Sequence, residues 1–200
     1  MLRFRSANAR AVSPERAVLE SLDIAFGADP READLLLINA TVGHDLVRLS
    51  QAVAAVMPQT RVLAASCAGV VGPQGPGESL YDITVMSVAG EGVTVSQVDG
   101  LFGSTSFEKG AELARGLTDT PHPVRMIYLL ASGIDIANDE VIAGIESVLG
   151  SDVVIFGATS SDQMQGVATY QAIDGQQYQH AAFALGFWEP GLEVVTQATH

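Results

Sequence analysis

Residues 35–69 of this chain can be laid over residues 128–162 without a gap. On that overlay the run Leu35–Asn39 meets Tyr128–Ser132, and the helix positions Leu49 and Val56 meet Ile142 and Leu149. The stretch Val62–Cys67 meets Ile155–Ser160. Each copy reads strand, helix, strand and ends in small, hydroxyl-bearing residues. Internal similarity constrains a fold more than any single motif, because each copy must bury its apolar face against a neighbour. It also brings two equivalent strand ends into one molecule, where short side chains leave room for a ligand. We expect one domain over residues 1–200, with pseudo-repeats at about 34–98 and 124–199.

Local signals fill in the elements. Ser13 before Pro14 is a helix start, with Val18, Leu22, Ala25 and Phe26 on one face and Gly27 at the end. The run from Leu35 to Thr41 is nearly all apolar, as expected of a strand buried on both faces. Leu46, Leu49, Val53 and Val56 recur at helical spacing after Asp45, and Pro58 stops that helix. Gly69–Gly77 has the composition of a loop. Ile83–Val88 and Val93–Val98 flank Gly90-Glu91-Gly92 and read as a hairpin. Ser106 is the expected cap of a helix carrying Phe107, Ala111, Ala114 and Leu117, and this helix bridges the halves. Asn138 or Asp139 caps a helix with Ile142, Ile145 and Leu149 inward. Ala168–Ile173 and His180–Trp188 flank Asp174-Gly175, a second hairpin signal, and 192–199 is a final strand. The fold class that follows is α/β (mixed α+β): duplicated β-α-β-β-β units, with helices packed on mixed sheets.

Composition narrows the function. The chain is 48% hydrophobic, which suits a folded core. A net charge of −13 repels phosphate backbones and makes nucleic acid a poor partner. No apolar run is long enough for a membrane helix, and no apolar segment follows Arg3 and Arg5 as a secretory signal requires. A single cysteine, Cys67, fits a reducing cytoplasm. His44, His122, His180 and His200 lack metal-ligand spacing, so no metal site is expected.

Several of these stretches together resemble a known family. Ala33–Ile38 leads to an amphipathic helix and then to Val62–Gly69; Leu129–Gly133 leads to a helix ending at Gly150 and then to Val153–Asp162. In order and spacing this resembles the N-terminal FIST domain of bacterial signal-transduction and F-box proteins. The resemblance implies a sensory domain that binds a small ligand, an amino acid or derivative, and signals to a partner such as a histidine kinase. It implies haem and nitric oxide sensing as an alternative. Larger members continue into a C-terminal FIST domain, a further expected partner.

The residues themselves carry the candidate chemistry. Ser66, Cys67 and Gly69 end one strand, Thr159, Ser160 and Asp162 the other, and Ser132 follows the strand between. Hydroxyls and free amides suit a carboxylate, and Asp162 suits an ammonium. Cys67 or Ser66 as the nucleophile of a hydrolase or transferase is an alternative that needs a nearby base, and none adjoins in sequence. A buried, unreactive Cys67 and a self-satisfied Asp162 loop are the structural readings of the same residues. Tyr170 and Tyr178 are candidate pocket walls. His180 is the best-placed axial ligand for the haem alternative; otherwise no cofactor is expected. Phe187 and Trp188 are the candidate contact surface of an assembly domain.

Overall fold

The computed structural model describes residues 1–195, and they form two mixed sheets faced by helices. In chain order the elements are β1 (Arg3–Arg10), α1 (Pro14–Phe26), β2 (Leu35–Thr41), α2 (Leu46–Val56), β3 (Arg61–Cys67), β4 (Val70–Gly72), β5 (Gly75–Gly77) and β6 (Asp82–Ala89). Then follow β7 (Val93–Asp99), α3 (Ser106–Arg115), β8 (Met126–Ala131), α4 (Asn138–Leu149), β9 (Val154–Thr159), β10 (Gln171–Ile173), β11 (Gln176–Tyr178) and β12 (Ala181–Phe187).

The first sheet runs β1-β6-β2-β3-β10-β11 and the second β7-β12-β8-β9. In both, one parallel pair sits beside antiparallel neighbours: β2 with β3 and β8 with β9 are parallel, while β6 and β12 run against β2 and β8. Alternation along β2 shows why the sheets stack. Leu36, Ile38 and Ala40 face α1 and α2, whereas Leu35 and Leu37 join Phe183, Leu185 and Leu130 of the second sheet. A third core, with Ile127, Leu113 and Ile145, fills the space between the second sheet and helices α3 and α4. The layers are therefore helix, sheet, sheet, helix.

Caps and turns fix the element ends. The Ser13 hydroxyl accepts the Arg16 amide at 3.3 Å, and Asp45 accepts those of Val47 and Arg48 at 2.8 and 3.1 Å. Helices α3 and α4 touch through Gly110 and Gly144: a Cβ on either would strike the other helix's backbone, at the carbonyls of Val141 and Phe107 respectively.

Several expectations are corrected. The Gly69–Gly77 stretch is not a loop throughout but carries the β4–β5 hairpin. Gly90-Glu91-Gly92 is no hairpin turn, since β6 and β7 lie in different sheets; the glycines, at φ 108° and 117°, let the chain cross between layers. Residues 93–98, expected in the first half, thus stand in the second sheet, and α3 packs there rather than bridging the halves. Asp174-Gly175 does turn a hairpin, but its second strand is β11 and not residues 180–188. Neither Ser106 nor Asn138 or Asp139 is a helix cap; the cap positions are Thr105 and Ala137, without side-chain capping bonds. Phe107 and Ile142 are exposed, and Phe187 is buried between the sheets. β1, with its alternating Arg3-Phe4-Arg5, was not anticipated. Residues 192–195 form no strand, and the rest of that expected strand lies outside the described residues.

With β3 laid on β9 as in the overlay, β2 and β8 fall out of register. Leu35 pairs with Arg61 and Met126 with Val154, so Met126, not Tyr128, stands where Leu35 does. The connection at 132–137 is longer than that at 42–45, which absorbs the slip.

Candidate functional site

Parallel strands leave their carboxyl ends open where the chain turns into a helix, and ligands of α/β sheets gather there. At that end of the first sheet, β3 finishes in Ser66 and β2 turns through Val42–Asp45 into α2. Ser66 is buried and stitched to the segment that follows β9. Its amide donates to the Tyr170 carbonyl at 2.9 Å, its hydroxyl accepts the Tyr170 amide at 3.0 Å, and its carbonyl accepts the Ser161 amide at 2.9 Å. The two strand ends therefore meet.

Around this seam the serine and threonine hydroxyls bond to their neighbours. The Ser160 hydroxyl accepts Gln171 Nε2 at 2.7 Å, and its amide donates to Ala131 at 2.8 Å. Ser132 Oγ lies 3.4 Å from Thr169 Oγ1, which also accepts the Gly133 amide at 3.1 Å. A Cβ on Gly133 would strike the Ser160 carbonyl, so that turn needs glycine. Thr169 and Gln171 are site residues the sequence reading does not single out; both are buried polar groups at the start of β10, a burial that only the structure reveals.

A cavity of about 500 Å³ opens beside the seam, lined by the Val42–Leu46 turn, Ser66, Asp162, Gln165, Tyr170 and Gln177. Of the predicted residues, Ser66 and Asp162 line it, and Tyr170 forms a wall. Ser132 and Ser160 stand behind the lining in the hydrogen-bonded seam. Thr159 is exposed at the end of β9, and Gly69 is exposed at the turn into β4, where a Cβ would lie 3.1 Å from the Gly77 carbonyl. Tyr178 packs between the sheets instead. A cavity of about 530 Å³ at the opposite, amino ends of β2 and β3 mixes Arg3 and Arg31 with Glu32 and Asp34 and has no such seam.

Electrostatics define what the site can do. The Asp162 carboxylate accepts the amides of Gly166, Val167 and Ala168 at 3.2, 2.7 and 3.2 Å, and these bonds, led by Val167, hold its pKa below the ordinary carboxylate range. Asp162 thus clasps its own loop. His44 is 7% exposed, and neither ring nitrogen has a hydrogen-bond partner. Burial lowers its pKa against the opposing pull of the Tyr81 carbonyl and Asp82, so the ring is neutral at pH 7. Burial pushes the Cys67 thiol up to about 11, leaving almost no thiolate at neutral pH. His180 lies elsewhere, with its ring centroid 4.4 Å from that of Phe102 and a buried, unpartnered Nδ1. It is not part of the strand-end cavity.

The FIST N domain family matches residues 34–200, most of the chain. This chain belongs to the FIST N domain family. FIST domains are sensory domains of signal transduction. The match spans both strand ends of the seam and the whole lining of the cavity, so the site lies within the FIST N region. Among solved structures, the FIST N chain is similar to a cyanuric acid hydrolase from A. caulinodans, at 12% identity and a TM-score of 0.46, covering 95% of this chain and 68% of that one. A second structure, of a cyanuric acid hydrolase described as an evolutionary innovation by structural concatenation, is 10% identical with a TM-score of 0.42, over 94% of this chain and 68% of that one. Among curated proteins none matches. Among the described residues no helix of this FIST N domain is long and apolar enough to cross a membrane.

Proposed function

We propose that the cavity beside Ser66 is the sensory site of this FIST N domain, and that it receives a small polar metabolite, an amino acid or a derivative of one. The observation that carries this reading is the shared wall: residues 42–46 and Ser66 come from one sheet's strand ends, and residues 162–170 from the segment that follows β9 in the other. A molecule held there touches both halves. The lining offers the Gln165 and Gln177 amides and the Tyr170 phenol, groups that pair with a ligand's donors and acceptors alike. Occupancy then favours one setting of the 162–170 loop against the β2–α2 turn, and that population shift is what a partner such as a histidine kinase reads by noncovalent contact. The protonated Cys67 thiol supports binding over nucleophilic chemistry.

Calorimetry and thermal-shift measurements against a panel of amino acids test the reading. A ligand that raises Tm is expected, and Gln165→Ala with Gln177→Ala should weaken its binding roughly tenfold, the loss of about 1.4 kcal/mol. These exposed side chains leave the unliganded melting point unchanged. Failure of the whole panel to give heat or a shift, with the fold intact, refutes the metabolite reading.

A further inference from the structure

At one end of the second sheet, β9 has no covering strand among the described residues. Position by position, β7, β12, β8 and β9 stand in it as β1, β6, β2 and β3 stand in the first sheet, with the same parallel and antiparallel pairings. Beyond β3 the first sheet continues: β10 adds antiparallel, pairing Gln171 with Ala65, Ala172 with Ala64 and Ile173 with Leu63. Beyond β9 there is no strand among the described residues.

An open edge is normally blunted by charge, proline or a bulge, because its unpaired amides and carbonyls template further strands. β9 reads Val154-Ile155-Phe156-Gly157-Ala158-Thr159, with neither charge nor proline. Phe156 is 46% exposed, and Gly157, Ala158 and Thr159 are exposed beside it. Phe156 meets Tyr128 edge-on with ring centroids 5.2 Å apart, a contact that joins it to β8.

The intramolecular precedent says what kind of segment fits. The strand that covers β3 belongs to a hairpin inserted between β9 and β12, so one half lends its hairpin to the other half's edge. The hairpin at the corresponding place in the first half, between β3 and β6, is β4–β5. It forms a two-stranded sheet of its own and leaves Val71 83% exposed. Asn8 holds it ready: Asn8 and Gln74 exchange amide bonds at 2.8 and 2.9 Å, and Asn8 Nδ2 donates to the Gly75 carbonyl at 3.2 Å. Among the described residues, each chain thus has an uncovered β9 edge and a preformed hairpin outside the two larger sheets.

We infer that β9 is an assembly edge whose occupant is the β4–β5 hairpin of a second copy of this chain, seated along Phe156-Gly157-Ala158 as β10 is seated along Leu63-Ala64-Ala65. The contact is head-to-tail, so it builds a closed ring or an open chain of copies. A net charge of −13 on each copy opposes the contact, and salt relieves that opposition.

Sedimentation velocity of the full chain across micromolar concentrations, at low and high salt, reads the assembly. Dimers or larger species are expected, favoured by salt. Hydrogen exchange should show residues 154–159 gaining protection with concentration. Phe156→Asp on the edge and Val71→Asp on the hairpin should each weaken association at least tenfold. Val71 is so exposed that its variant retains the fold even if the edge variant does not. A monomer under every condition overturns the proposal, as does an oligomer that neither variant weakens.

Discussion

Asp82 shows how much one carboxylate holds at the mouth of β6. Arg10 Nε donates to it at 2.8 Å and the Ser79 amide at 2.6 Å, while its backbone exchanges hydrogen bonds with the Thr41 hydroxyl. Burial works to raise its pKa, but the bonds from Arg10 and Ser79 outweigh that and hold it below 3.8. The stability it contributes is therefore present above that pH and lost as pH falls through the depressed folded value. Asp82→Asn should cost about 1–3 kcal/mol at pH 7 and flatten the acid limb of a denaturant-midpoint titration. Cys67 has the opposite sign. Its pKa rises from 9.0 to about 11 on folding, so the fold weakens as pH climbs through that window. Cys67→Ala should remove this alkaline loss, roughly 2–3 kcal/mol, and wild-type thiol labelling at pH 8 should be slow until the protein unfolds. At this scale the chain was only partly legible. Ser66 and Asp162 stood out because hydroxyls and a carboxylate follow apolar strands. His44 did not, because nothing local tells a buried imidazole from an exposed one.

Between elements, the tightest approach is α3 on α4 through Gly110 and Gly144. Gly144→Val should force the helices apart and cost about 1–3 kcal/mol, read as a lowered Tm with the circular dichroism spectrum retained. Strands and helices were mostly visible in the sequence, since β2 has its long apolar run and α1 and α2 their caps. Pairings were less visible. Gly90-Glu91-Gly92 has hairpin chemistry, yet the strands it joins belong to separate layers, because each finds its partner far along the chain: β1 and β2 for β6, and β12 for β7. Turn residues report that the chain reverses or bends, and long-range burial decides which strand it meets next. The β8–α4 connection misled in the same way. Its extra length shifted Met126 into the place of Leu35, while the β3 and β9 ends stayed aligned.

For the whole molecule, the crossing of β10–β11 matters most. Two strands of the first sheet come from between β9 and β12 of the second, and the core between the sheets mixes Leu35, Leu63 and Ile173 with Phe183 and Leu185. Neither sheet can melt while the other stays intact. Chemical denaturation should give one transition, coincident by far-ultraviolet circular dichroism and by Trp188 fluorescence. Two separated transitions would contradict this. The same crossing bears on how the polypeptide can be divided. Severed near Glu91, residues 1–89 would lack their outer strands and residues 93–195 would carry a hairpin with no sheet to join. Each piece holds what the other is missing, so the two separately produced fragments should recombine into one folded complex, with the break near Glu91 as a natural split point.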